Sequence, residues 1–149
     1  MKLDYKLPNN IKPILYEVTL KPYIGPFYGI KSFKFDGFLN LSFICLNPTN
    51  TIVLHSVDLE IFSSRLYELN IFDQDSIINV PKIKSNDIPI RLINTTAYDY
   101  DREFVIFYLN RKCEKDKNYV LELNFTGTIL ENLYGFYRSS YQDSFGNTH

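Results

Sequence analysis

Apolar and polar residues alternate along most of this chain, which is the period of a β-strand with one buried face. The first clear case begins at Ile14, from which every second residue up to Leu20 is apolar. A longer run over residues 33–46 repeats the pattern, and Gly37 interrupts it. Because glycine weakens the interior of a strand, we expect a bulge or a bend at this position.

Short alternating segments with turn residues between them continue to residue 125, and residues 1–13, which contain prolines, read as an N-terminal arm. The polar stretch 111–118 is predicted to be a hairpin loop. With no linker and no repeat, the pattern predicts an all-β, antiparallel single domain over residues 1–149, either a β-sandwich or a curved sheet. The predicted strands cover residues 14–20, 33–46, 51–55, 57–62, 66–72, 77–80, 91–98, 104–109 and 119–125.

Composition supports this fold and excludes several partners. The 149 residues include 12 Phe and 12 Tyr but a single alanine, and aromatic residues favour strands while alanine favours helices. The net charge of −1 lacks the cationic surplus that nucleic-acid binding needs. No segment approaches the ~20 apolar residues of a membrane span, and the first residues do not resemble a signal peptide. We therefore expect membrane association only through segments outside this chain.

The motifs of common catalytic sites do not occur in this sequence: H-E-x-x-H, G-x-S-x-G, the Walker loop and the dinucleotide fingerprint are all missing. The two histidines are His55 and His149, and with Cys45 and Cys113 they lack the close spacing of a structural zinc site. We expect no metal or cofactor in this chain and interpret His55 as a structural, hydrogen-bonded residue. Both cysteines are interpreted as buried free thiols, with one disulfide as the alternative.

Two acidic pairs, Asp73/Asp75 and Asp99/Asp101, lie between predicted strands. Paired carboxylates can bind calcium or transfer protons, but aspartate commonly caps turns, and we interpret both pairs as turn residues. The loop at 111–118 mixes both signs of charge and is interpreted as solvated. Sequons for N-glycosylation, which only a secreted protein uses, occur at Asn40, Asn94 and Asn124.

Residues 133–141 concentrate aromatic side chains around one glycine and one arginine. They read Leu-Tyr-Gly-Phe-Tyr-Arg-Ser-Ser-Tyr, and the G-F-Y-R-S-x-Y within them resembles the end of the N-terminal domain of zinc aminopeptidases of the aminopeptidase N type. Four earlier segments resemble that family in the same order along the chain. They are the opening L-P-x-x-I-x-P with its following strand at 7–22, the F-x-G at 35–37, the T-I-V-L-H-S at 51–56 and the Y-V-L…F-T-G at 119–127.

The resemblance implies a saddle-shaped, mostly antiparallel β domain. In that family a later domain holds the zinc and the catalytic residues, so no catalytic or metal-binding residue is expected here. This domain is then expected to pack on the catalytic domain and wall its cleft, and zinc and the peptide substrate belong to the full enzyme. The resemblance also implies a structural or interdomain role for Gly135, Phe136, Tyr137, Arg138, Ser139 and Tyr141. Arg138 is expected to be a charged hydrogen-bond donor, either to the partner domain or, as we favour, within its own turn.

Two other functions stay open at this point. One is a free-standing β-sandwich module that binds a protein partner, and the other is a β-domain enzyme with an unrecognised acidic site. The family's chain continues with further strands, so we expect this chain alone to expose an unpaired edge or an apolar surface. The sequons and the L-H-S segment favour a secretory, membrane-anchored parent, while the N-terminus favours a cytoplasmic one. We expect the secretory location.

Overall fold

The computed structural model describes residues 4–25, 29, 32–69, 88–90, 92–131, 137–139 and 142–146. Every named element in these ranges is a β-strand, and they contain no helix long and apolar enough to cross a membrane. Every pairing between the strands is antiparallel. The strands are β1 (Ile11–Tyr23), β2 (Lys34–Cys45), β3 (Thr49–His55), β4 (Leu59–Glu68), β5 (Ile88–Ile90), β6 (Leu92–Asp99), β7 (Phe104–Cys113) and β8 (Asn118–Thr128).

The strands form two sheets that pack into a sandwich. The first sheet has the order β1-β2-β8-β4-β5, and the second has the order β3-β7-β6. One core lies between them, in which Leu41 and Leu121 of the first sheet share a cluster with Ile52 and Phe107 of the second. The all-β, antiparallel prediction is therefore confirmed, and the sheets are not closed into a barrel.

The core follows from the alternation along β2 and β8. Phe43 of β2 lies opposite Tyr119 of β8, and both side chains are fully buried. Their rings stack with centroids 5.5 Å apart and planes inclined by 22°. Directly opposed residues of an antiparallel pair share a face, so this contact fixes which face of the first sheet is the core face.

One long strand replaces two predicted strands. The segments predicted at 57–62 and 66–72 are joined in β4, which runs without interruption past the polar residues between them. The pairing of β4 with β8 shifts between Ile61 and Ser63, where an extra residue is accommodated. This shift disrupts the simple alternation and made one strand look like two. The segment predicted at 77–80 lies outside the described residues.

The predicted arm and hairpin loop are both shorter than expected. β1 begins at Ile11, and Pro13 lies within it next to a register shift. Proline is accommodated because β1 is an edge strand of the first sheet, where a missing N–H need not break a ladder. At the hairpin, β7 continues to Cys113 and β8 begins at Asn118, so half of the predicted loop is strand.

Candidate functional site

Two F-x-G motifs on neighbouring strands pack against each other. Phe35 of β2 lies opposite Gly127 of β8, and Gly37 lies opposite Phe125. The two rings meet edge to face, with centroids 6.3 Å apart. A Cβ atom on Gly37 would come within 2.3 Å of the Phe125 ring, and one on Gly127 within 2.4 Å of the Phe35 ring. Each glycine thus provides the space for the ring of the other motif.

Of the bulge or bend predicted at Gly37, the bulge is wrong. The pairing of β2 with β8 runs without a shift from Lys34 to Ile44, and its pairing with β1 is regular across the glycine. Glycine stands in the strand because a neighbouring aromatic ring approaches its backbone, which is the other established reason for an interior strand glycine.

An exposed line of apolar side chains runs along β1, and we name it the β1 apolar row. Tyr16 is 52% exposed, whereas Leu41, its direct partner on β2, is fully buried. The row therefore continues the core face of the first sheet, but the cover that buries Leu41 ends before β1. Tyr16, Val18 and Leu20 lie opposite core-face positions of β2, and Ile14, at the register shift, extends the exposed apolar line. The row consists of Ile14, Tyr16, Val18 and Leu20, each between 44% and 55% exposed.

An exposed apolar surface was expected from the sequence, but its position on β1 was missed. The alternation in β1 predicts a half-buried strand with an apolar face turned inward. The apolar face does lie on the core side of the sheet, but it is exposed. Alternation identifies which face of a strand is apolar, and it carries no information about whether another element covers that face.

The described part of the 133–141 motif is attached to its own domain through Arg138. The guanidinium carbon lies 4.0 Å from the centre of the Phe33 ring, and Nη2 is 2.9 Å from Oε1 of Glu131. The backbone N–H of Arg138 donates to the carbonyl of Leu130 at 2.9 Å. Tyr137 forms a parallel bridge with Leu130 and is 46% exposed. These contacts connect the motif to the end of β8.

Phe33, on which Arg138 stacks, lies in the turn between β1 and β2. Its φ angle of 57° is in the left-handed region, where a bulky residue is uncommon. The backbone N–H of Phe33 donates to the carbonyl of Tyr23 at 2.8 Å, and the Phe33 carbonyl accepts from the backbone N–H of Ile129 at 2.7 Å. Arg138 therefore stacks where the ends of three strands meet. Among the other motif residues Ser139 is exposed, while Gly135, Phe136 and Tyr141 lie outside the described residues, and the role of the motif stays a prediction.

A buried carboxylate organises the β7–β8 hairpin. Glu68, whose side chain is 8% exposed, accepts from Arg111 Nη2 and from Lys117 Nζ, each at 2.7 Å. Lys117 also contacts Glu114 at 2.9 Å. Burial alone raises the pKa of Glu68, but the hydrogen bonds from the two cations outweigh it and hold the pKa below its ordinary value. The predicted solvated loop is thus fixed by an ion-pair network.

Cys45 and Cys113 are free, fully buried thiols. The Sγ of Cys45 donates to the carbonyl of Asn47 at 3.1 Å. Burial raises the pKa of Cys113 to about 12, so this thiol stays protonated and is a poor nucleophile at neutral pH. His55 is exposed, and its ring packs on Phe104 with centroids 5.0 Å apart. Within the described ranges no group of three His, Cys, Asp or Glu side chains could hold a metal ion.

The described acidic pair is part of a turn. Asp99 accepts from the backbone N–H of Arg102 at 3.1 Å and from its Nε at 2.8 Å. These bonds, the side-chain bond first, hold the pKa of Asp99 below its ordinary value. The carboxylate therefore caps the turn between β6 and β7. Asp73 and Asp75 lie outside the described residues.

Two sequons lie on the outer face of the first sheet, away from the core. Asn124 of β8 is half-buried and lines an open groove. Asn40 of β2 is also half-buried, and its Oδ1 atom is enclosed without a hydrogen-bond partner. The side chain of Asn94 is outside the described part of β6.

The two sheets and the interlocked F-x-G motifs define an all-β sandwich domain. Residues 12–149 match the family model of the Peptidase M1 N-terminal domain, and the chain belongs to that family. The resemblance drawn from the 133–141 motif and the four earlier segments is thereby confirmed.

The chain is also similar to curated aminopeptidases over most of its length. It is 32% identical to Aminopeptidase N of Homo sapiens over 140 residues and 30% identical to that of Rattus norvegicus over 141 residues. Identity to Aminopeptidase N of Haemonchus contortus is 28% over 138 residues. These alignments cover 93%, 94% and 91% of the chain but 13% of each relative, so the chain spans only a small part of the proteins it matches.

Proposed function

We propose that this chain is the non-catalytic N-terminal domain of a zinc aminopeptidase, a hydrolase that removes N-terminal amino acids from peptides. Its family and the names of its relatives support this function. In this proposal the zinc belongs to a catalytic domain elsewhere in the parent protein, as the family and the relatives support. No chemical step is assigned to this chain.

We further propose that the domain packs on the catalytic domain and forms one wall of its cleft, with the β1 apolar row at the contact. The observation that carries this proposal is an apolar face, continuous with the core, whose four large side chains are about half exposed. Full burial of such a side chain contributes about 1.5–3 kcal/mol of favourable free energy. Covering the exposed half of four of them therefore contributes roughly 3–6 kcal/mol to the contact between the domains, before the costs of association.

Val18→Asp in the parent enzyme tests this contact. Aspartate at the centre of the row would have to be desolvated at the interface, so we expect a lower thermal midpoint and faster proteolysis between the domains. Val57→Asp is the matched control, because Val57 is 52% exposed, close to the 55% of Val18, and lies outside the strands. Equal behaviour of the two variants would refute the proposed contact.

The β1 apolar row also suits a second function, that of a free-standing module that binds a protein partner through the same face. The size of the native protein separates the two functions. A denaturing blot of the source cells should show a band several times heavier than 17.6 kDa if the domain belongs to an aminopeptidase. A band near 17.6 kDa would overturn the aminopeptidase proposal and favour the module.

We propose a secretory route for the parent protein. The three sequons support it, because N-glycosylation takes place only on proteins that enter that route. Fractionation of the source cells tests the location: recovery with the secretory membranes or outside the cell is expected, and recovery in the cytosol would contradict it.

A further inference from the structure

A groove of about 630 Å³ lies on the outer face of the first sheet, on the side opposite the core. Its volume falls in the range of sites that hold small ligands, and it is open to solvent. The groove crosses four strands, from β1 through β2 and β8 to β4. Its lining consists of Thr19, Lys21, Lys34, Asp36, Gly37, Phe38, Phe62, Asn124 and Thr126.

The glycosylation sequon of β8 opens into this groove. Asn124 and Thr126, its first and third residues, both line the groove, while Phe125 between them faces the core against Gly37. Alternation along the strand produces this arrangement, since residues two apart share a face. The asparagine that would carry a sugar is therefore part of the wall of a cavity large enough to receive it.

Two aromatic rings flank Asn124 in the groove. Phe38 is its direct partner on β2, and Phe62 lies on β4 at the register shift, next to Ser63, which pairs with Asn124. Phe62 is 65% exposed, so the core does not account for its ring. A pyranose ring presents C–H groups on its flat faces, and contact with an aromatic ring removes this apolar surface from water.

We propose that an N-linked glycan on Asn124 occupies this groove, with its first sugars against Phe38 and Phe62. Lys21, Lys34 and the other polar lining side chains face the sugar hydroxyl and amide groups. The inference rests on the proposed secretory route. It is independent of the interdomain contact, because the β1 apolar row lies on the other face of the sheet.

The sequon at Asn40 lacks these features. Its Oδ1 atom is enclosed without a hydrogen-bond partner, and its neighbours on both sides are the carboxylates Glu17 and Glu122. Asn40 does not line the groove at Asn124. Because a glycan is bulky and needs open surface, the folded protein accommodates it at Asn124 and not at Asn40.

Glycopeptide mapping of the parent protein, secreted in folded form from a eukaryotic host, provides the first test. We expect the glycan on Asn124 and an unmodified Asn40, and Asn124→Gln should remove the modified peptide. Thr126→Ser keeps the sequon and should keep the glycan. A folded, secreted protein without a glycan on Asn124 overturns the proposal.

The rate at which an endoglycosidase removes the glycan from the native protein provides the second test. A glycan held in the groove is protected, so Phe62→Ala should speed its release about fivefold, the change that loss of a contact of about 1 kcal/mol produces. Phe145→Ala is the control, because Phe145 is 88% exposed and is not in the groove lining. Equal rates of release in the two variants would overturn the proposal that the glycan lies in the groove. Peptidase activity should stay unchanged in both, which separates this result from a failure of the proposed function.

Discussion

The interlocked F-x-G motifs make a specific prediction for Gly37→Ala. The new methyl group would come within 2.3 Å of carbons of the Phe125 ring, whereas real Cβ contacts essentially never fall below 3.0 Å. Phe125 is 9% exposed and packs edge to face on Phe35, so its ring has little room to move. The substitution therefore forces a displacement inside the core rather than at its edge.

The magnitude follows from two opposing effects. Overpacking of a core costs about 1–3 kcal/mol, while replacing glycine by alanine inside a strand recovers roughly 0.5–1 kcal/mol of backbone entropy. The net loss for Gly37→Ala should be about 1–2 kcal/mol. A chain of this size loses about 2–4 °C of thermal midpoint per kcal/mol, so the midpoint should fall by about 2–8 °C.

Denaturant unfolding of a double-mutant cycle is the assay. Phe125→Ala alone should cost about 3–5 kcal/mol through the cavity that it leaves. The double variant Gly37→Ala/Phe125→Ala should cost about 1–2 kcal/mol less than the sum, because the missing ring makes room for the methyl group. Gly127→Ala, whose Cβ would meet Phe35 instead, is the control, and Phe125→Ala should rescue it less. Additive costs at Gly37 and Phe125 would refute the explanation.

Three further predictions concern the polar and sulfur groups. The pKa of Glu68 in the folded protein is lower than its ordinary value of 4.5. The ionised carboxylate therefore contributes its full stabilisation of the fold above about pH 4.5, and this contribution is lost as the pH falls through the folded-state pKa. Glu68→Gln should remove this acid dependence in pH-resolved unfolding and cost about 1–3 kcal/mol, since both cations are partly exposed. Cys113 should react with a thiol reagent only as fast as the chain unfolds, and rapid labelling of the native protein would contradict its burial. Arg138→Ala in the parent enzyme should lower stability by about 1 kcal/mol through loss of the contact with Phe33, and unchanged stability and peptidase activity would exclude an anchoring role.

The sequence predicted the centre of the fold well. Along β2 and β8 the core face is consistently apolar, so alternation identified both strands and core residues such as Leu41 and Phe43. The motif at 133–141 and the earlier segments identify the family from the sequence alone. These features depend on residues that are close in sequence, where periodicity and spacing can be read directly.

The remaining features depend on pairs that are distant in sequence. Glu68 and Lys117 are separated by 49 positions, and the residues around each of them do not indicate that the two form an ion pair. The space that Phe125 requires explains Gly37, but the two residues meet only once β2 and β8 are adjacent. Exposure of the β1 apolar row is likewise a property of the sandwich, since it depends on how far the second sheet extends.

The position of β8 has a consequence for how the domain is made. β8 lies between β2 and β4 in the first sheet, yet it is the last of the described strands in chain order. During synthesis, β2 and β4, which both have apolar faces, therefore lack the strand that pairs with them until residue 128 has emerged from the ribosome. Pairing over such sequence distances is slow, and the waiting edges are open to aggregation. The domain should therefore fold only after its translation is complete, and the nascent chain before that point is the species that chaperones have to protect.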